Sequence, residues 1–190
     1  MSEHSGVKSG SLLVASPELR GPDFGRTVVY MITHGEEGSL GVVLNKPSEI
    51  PVQNVLPQWT ELAAKSKVVF VGGPMELSSA MCVGVCRPGV DASDIEGLAP
   101  IAGPVCLVSV DSAAGPKGLY LKGVRIFGGH AGWAPGQLVD EVAEGAWSVV
   151  ASSPQDVLAG PKVDVWFEVL RRQRFPLRWQ AWHPGDLERN

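Results

Sequence analysis

Hydrolytic chemistry has raw materials in this chain: Ser16 and Ser109 offer hydroxyl nucleophiles, Asp111 an orienting carboxylate and His130 a general base. Such groups act only when folding brings them within hydrogen-bond reach, and no GxSxG nucleophile turn marks either serine. No HExxH, Walker A, paired CxxC or dinucleotide fingerprint occurs, so the sequence calls for no metal and no cofactor. Cys82, Cys86 and Cys106 form an odd set of thiols in a chain with room for a sizeable core, which argues against a disulfide scaffold. The even separation of Cys82 and Cys86 within AMCVGVC sends both to one face of a strand, as expected of buried structural thiols.

Binding needs less than catalysis, and here the candidates gather. Arg26 precedes one apolar run and Asn45 closes another, so a cation and an amide would meet if those ends lie together. The segment Ile126 to Val142, IFGGHAGWAPGQLVDEV, reads as a strand end, a Gly-rich bend and an amphipathic helix with Leu138 and Val142 one turn apart. Gly128, Gly129 and Gly132 permit a shaped corner that Trp133 would anchor, and free N–H groups at the helix start could hold an anion. A shared rim of Arg26, Asn45, His130, Gln137 and Glu141 is therefore the ligand-binding expectation. Its alternative is a polar network that holds loops together.

The 190 residues, 44% hydrophobic, can bury one core, and a formal charge of −4 argues against a surface made for nucleic acid. One stretch departs from that charge: Arg171, Arg172, Arg174 and Arg178 stand beside Trp179, Trp182 and His183. It could hold RNA or an acidic partner by charge and stacking, or be a polar helix end whose tail packs by its tryptophans. The start of the chain is polar, and later apolar runs are broken before membrane-spanning length, so a cytosolic protein with no membrane partner is expected. The expected organisation is a mobile segment 1–10, a domain 11–175 and a tail 176–190.

The elements that must position these groups follow from periodicity. SLLVA, TVVYMIT, SLGVVLN and KVVFV read as strands, the second and third as interior ones joined across a five-residue loop, HGEEG. Further strands are expected at Ala80 to Cys86, Val105 to Val110, Gly123 to Phe127 and WSVVA. Val52, Val55, Leu56, Trp59 and Leu62 recur at helical intervals around Pro57, which predicts two short helical pieces. Gln137 to Glu144 reads as a helix, Ser153-Pro154 as the start of another, and Val163 to Arg172 as a third with Val163, Phe167 and Leu170 inward. RPGVDASDIEGLAPIAGP and DSAAGPKGLY read as exposed loops without the ligand spacing of a calcium site.

Taken together, LLVASPEL, FGRTVVY, GSLGVVLNKP, VGGP and FGGHAGWAPGQLVDEVAEGAW resemble the YqgE/AlgH family from about Leu12 to near Arg172. The resemblance implies an α+β fold, a single domain with a large mixed β-sheet covered by short helices, and a family whose molecular function is largely uncharacterised. It singles out Pro17, Phe24, Arg26, Gly41, Asn45, Pro47, Gly72, Gly73, Pro74, Gly132, Trp133, Gly136, Gln137 and Glu141. His130 stands where many relatives have GYAGW, which speaks against an indispensable imidazole there. The functional expectation is a cytosolic regulatory or interaction module with an unknown protein partner, binding rather than making bonds. The alternative is a small-ligand-binding protein using the Gly-Trp corner, with a hydrolytic enzyme behind both.

Overall fold

A computed structural model describes residues 6–183, and its frame is a ten-stranded sheet. In chain order the strands are β1 (Leu12–Ala15), β2 (Val28–Gly35), β3 (Gly38–Val43), β4 (Pro47–Pro51), β5 (Val68–Val71), β6 (Met75–Cys86), β7 (Leu98–Ala102), β8 (Val105–Val108), β9 (Leu121–Trp133) and β10 (Trp147–Val150). The path runs β10-β1-β2-β3-β9-β6-β8-β7, with β4 held on β5. β5 pairs parallel with β9 while the other strand pairs are antiparallel, which makes the sheet mixed. The helices are short: α1 (Val52–Val55), α2 (Ala114–Lys117), α3 (Gln137–Ala143), α4 (Pro154–Val157) and α5 (Val165–Arg171). The protein is thus a single α+β domain.

Strand alternation distributes the side chains between two cores. Val14, Val28, Tyr30 and Val42 face one core with Trp166 and Leu170 of α5, while Leu13, Val29, Met31 and Val43 face another with Leu138 of α3 and Trp147. Burial on both faces is why these strands read as unbroken apolar runs. A third cluster, around Val52 and Trp59, covers Cys82, Cys106 and Ile126. The sheet curls until its ends approach each other: a Cβ on Gly10 would lie 2.4 Å from the Ala102 side chain. Ser152 Oγ donates to the Gly10 carbonyl at 2.6 Å beside that seam.

Several expectations hold in place. The Pro57 break separates α1 from a 3₁₀ turn at Pro57–Trp59, and Ser153 begins α4 in a capping box with Asp156. Others are corrected. The Gly-rich stretch after Phe127 does not end the strand: β9 continues through it to Trp133, with the bend held inside it at Gly129, φ 74, where the register with β6 shifts. Its glycines also serve close approach: a Cβ on Gly129 would sit 2.6 Å from the Gly73 oxygen, and one on Gly132 2.7 Å from Met75 Sδ. The β2–β3 connection is a tight turn at Glu36-Glu37, since His34 and Gly35 pair with Ser39 and Gly38.

β7 and α2 form in stretches expected as exposed loops, β4 is a further strand that no expectation covered, and β6 starts five residues early, at Met75. Val163 is exposed, so only Phe167 and Leu170 of its expected trio pack inward. Beyond α5 the chain makes a 3₁₀ segment, Leu177–Trp182, whose buried contact is Ala181. Trp182 meets Phe167 of α5 edge to face but stays 54% exposed, and Trp179 is exposed, so the tail packs only in part by its tryptophans. The expected segment 1–10 lies within the described residues only from Gly6, and the expected tail 176–190 only as far as His183.

Candidate functional site

The corner after β9 is built around one carboxylate. Gly136, in the left-handed region at φ 78, turns the chain into α3. Gln137 Oε1 accepts from the Ala134 N–H at 3.0 Å, and Gln137 Nε2 donates to Glu141 Oε1 at 3.1 Å. Glu141 Oε2 accepts from both Trp133 Nε1, at 2.8 Å, and Trp147 Nε1, at 2.9 Å. The two indoles meet edge to face at 6.1 Å, and Phe24 closes against both. Trp133 is the anchor that the sequence predicts, 6% exposed. Its N–H is committed to Glu141, so the indoles and the carboxylate form a closed clasp.

Arg26 and Asn45 meet each other but not the clasp. Asn45 Oδ1 accepts from the Val28 N–H at 3.0 Å and its Nδ2 donates to the Arg26 carbonyl at 2.9 Å. The Arg26 guanidinium lies 4.1 Å above the Trp166 ring and 3.8 Å from Asp164. Trp166 belongs to the core on the opposite face of the sheet from Trp133. His130 alternates with the buried Ala131 and Trp133 along β9, so its side chain also leaves the clasp face. The five residues therefore separate into Gln137 with Glu141, Arg26 with Asn45, and His130 apart.

The hydrolytic set does not converge either. Ser16 Oγ accepts from the Glu18 N–H, and Ser109 and Asp111 line a cavity of about 540 Å³ beside β7 and β8. Among the described residues no hydrogen bond joins Ser16, Ser109, Asp111 and His130, and no group of three His, Cys, Asp or Glu could hold a metal ion. The three thiols are free and buried, with Cys86 Sγ 3.9 Å from Cys106 Sγ. Burial pushes the Cys106 thiol up to about 12 and the Cys82 thiol upward as well, which keeps both protonated and unreactive.

Two features escape a reading of the sequence, and a third shows there only in part. Arg125, 1% exposed, donates to the carbonyls of Ala64, Lys65, Leu158 and Ala159 and stacks 4.1 Å from the Phe70 ring. Burial lowers its guanidinium to about 10, and its four carbonyl partners make it a staple between two loops. His34 and Ser39 share a 2.6 Å hydrogen bond in the wall of a cavity of about 700 Å³ beside the clasp.

The third is the aromatic–arginine face after α5. Phe175, Trp179 and Trp182 are 60%, 68% and 54% exposed, although large aromatic rings are normally well covered. Arg178 lies 5.6 Å from the Phe175 ring and 5.9 Å from the Trp182 ring, and Trp182 meets Phe167 edge to face at 5.8 Å. Arg171 pairs with Glu168, and Arg172 with Asp156 at 2.6 Å. Among the described residues, Arg174 and Arg178 have no carboxylate within ion-pair distance. The signal was legible as composition, but its exposure was not.

No helix among the described residues is long and apolar enough to cross a membrane. The AlgH-like family model matches residues 12–178. A UPF0301 protein of Mycobacterium tuberculosis is 46% identical over 184 residues, covering 97% of this chain and 91% of its own length. One from Rhodococcus erythropolis is 47% identical, covering 97% and 92%. The crystal structure of protein DIP2367 from Corynebacterium diphtheriae superposes with a TM-score of 0.90 at 37% identity, covering 93% of each chain. The solution structure of the AlgH protein from Pseudomonas aeruginosa gives 0.66 at 24% identity, covering 97% and 99%, and shows the fold alone. With the strand order, the two-faced core and the clasp corner in place, these matches establish that the chain belongs to the UPF0301, AlgH-like family.

Proposed function

We propose that the protein is a cytosolic interaction module that regulates by binding, and that it takes an acidic protein surface on its aromatic–arginine face. The observation that carries this reading is the exposure of Phe175, Trp179 and Trp182 around Arg178. Aromatic residues and arginine are the types most enriched at the energetic centres of protein interfaces. Charge supports the sign of the partner: of the four arginines in residues 171–183, Arg174 and Arg178 have no carboxylate within ion-pair distance among the described residues, in a chain whose formal charge is −4. The remainder of the sequence is net acidic, so attraction to an acidic partner concentrates on this patch.

Affinity capture from the source cells, with mass spectrometry of retained proteins, tests the reading against a Trp179→Ala/Trp182→Ala control with unchanged melting temperature. The expected result is a reproducible acidic partner that the wild type retains and the control loses. Equal capture by both would overturn the assignment of the surface.

A further inference from the structure

Two of the four arginines in residues 171–183 already take carboxylates of this chain. Arg172 Nη1 and Nη2 donate to the two oxygens of Asp156 at 2.8 and 2.6 Å, a bidentate fork, and Arg171 Nη2 donates to Glu168 at 2.7 Å. Arg178 is held as firmly but lacks the acceptor. Its segment is seated on the core through Leu177 and Ala181, and Trp182 is fixed edge to face by Phe167 of α5. The guanidinium lies within cation–π reach of the Phe175 and Trp182 rings. Its Nε is buried there without an acceptor, whereas the two terminal nitrogens are not buried and donate no hydrogen bond among the described residues. The fork is the part of this charged group that stays open. Arg174 is exposed, with no carboxylate and no ring against it among the described residues, so it adds charge without a fixed direction.

We propose that the acidic partner is read through one carboxylate side chain, taken end-on by the two terminal nitrogens of Arg178, with an apolar residue beside it resting on the Phe175 and Trp179 rings. The inference rests on the reading of this face as the interface and adds what the face selects: an Asp or Glu next to an apolar residue, in an exposed segment of the partner. Two parallel N–H···O bonds to a carboxylate are the strongest use of a planar guanidinium, and the Arg172–Asp156 pair makes that use within this chain. Because the rings hold the Arg178 guanidinium before a partner arrives, less side-chain freedom is lost on binding. Its buried Nε has no acceptor, so water solvates this charge less fully than that of an open arginine, and a carboxylate opposite it is attracted more strongly. The apolar neighbour follows from Phe175 and Trp179, which flank Arg178 in the chain. Their exposed rings stand 5.5 Å apart and leave an aromatic surface that a carboxylate alone does not cover.

The test is a titration of the full chain with the blocked peptide acetyl-Gly-Glu-Leu-Gly-amide, followed by backbone amide NMR shifts. Saturable shifts clustered on Arg174, Phe175, Arg178, Trp179 and Trp182 are expected. Replacing the peptide's Glu by Gln weakens binding by about tenfold, the worth of one charged hydrogen bond, and replacing its Leu by Gly weakens it by about threefold. Arg178→Lys keeps the charge but loses the fork, and weakens the peptide by about tenfold, whereas Arg174→Lys stays within about twofold. Neither side chain is hydrogen-bonded to the fold among the described residues, so both variants should melt with the wild type. Wild-type affinity in Arg178→Lys, with binding lost in Trp179→Ala/Trp182→Ala, overturns the fork and leaves the face standing. Equal binding by every variant, or shifts clustered elsewhere, overturns both. Tighter binding of a phosphoserine peptide, or of oligouridine RNA, on the same residues overturns the carboxylate. Absence of saturation overturns the inference as well, and the affinity capture then decides the face by itself.

Discussion

Two regions of this molecule are made from the same materials and behave in opposite ways. At the clasp, Trp133 and Trp147 point their N–H groups at Glu141, Phe24 covers them, and Gln137 takes the remaining carboxylate oxygen. At the aromatic–arginine face, Trp179 and Trp182 stand open to solvent around a guanidinium that has no carboxylate partner among the described residues. Aromatic and charged residues side by side in a sequence thus do not by themselves announce a binding site. What separates the two regions is whether the polar groups are already satisfied by the chain itself. A satisfied network holds shape, whereas an unsatisfied one is available to a partner.

That contrast breaks first if the clasp tolerates loss. Trp133→Ala should lower stability by about 3 kcal/mol, combining lost burial with the cavity left behind. Urea denaturation measures it, and an unchanged midpoint would remove Trp133 from its anchoring role. Glu141→Ala should lower stability by about 2 kcal/mol, because it leaves two partly buried indole N–H groups without their acceptor. Near-neutrality would mean that the indoles find water equally well and that the clasp is not closed.

The buried thiols extend the comparison to a region with no polar network. Cys82 and Cys106, with Tyr30, have folded pKa values raised by burial. A raised value stabilises the fold fully below the unfolded pKa, and that contribution is lost as pH climbs toward the folded one, about 12 for Cys106. Each thiol therefore lowers stability by up to about 1.4 kcal/mol per pH unit above roughly pH 8.5. Arg125 acts in the other direction, since its depressed value of about 10 makes the folded state release its proton first, so the cleanest window lies below that pH. Denaturation midpoints should fall with pH across this window, and a Cys82→Ala/Cys106→Ala variant should show a flatter slope. An identical slope would mean that the thiols are not shielded as their burial implies.

Much of the frame was legible because its signals are local. Continuous apolar runs gave β1, β2, β3 and β5, Pro57 divided the helical stretch, and Ser153-Pro154 marked a cap. The Gly-rich stretch was half legible because glycine reports permission and not purpose: Gly129 does take φ 74 and admit the backbone of Gly73, but it stays inside β9, which runs on to Trp133. β7 was hidden by Pro100, which an edge strand tolerates and a central one does not. The candidate site fared worse. Glu141 and Gln137 are together, as helical spacing demands, but Arg26 turns to the other face, and a one-residue bulge decides where His34 points. Neither choice has a signal in a single sequence. The four carbonyls around Arg125 come from loops distant along the chain and are equally silent there.

The smallest expected effect is the most informative about the open face. Trp179 is 68% exposed and its recorded ring contact is with Phe175, itself 60% exposed, at 5.5 Å. Truncating it removes little surface that folding had taken from water, so Trp179→Ala should change stability by no more than about 0.5 kcal/mol. The same substitution at Trp133 acts on a ring that is 6% exposed and hydrogen-bonded. One amino-acid change made at two tryptophans thereby separates a ring that holds the fold from a ring that is free to hold something else. Urea denaturation of both variants in parallel reads the difference. Should Trp179→Ala cost as much as Trp133→Ala, the ring would be a structural prop, and the distinction between a satisfied and an available aromatic cluster would fail in this protein.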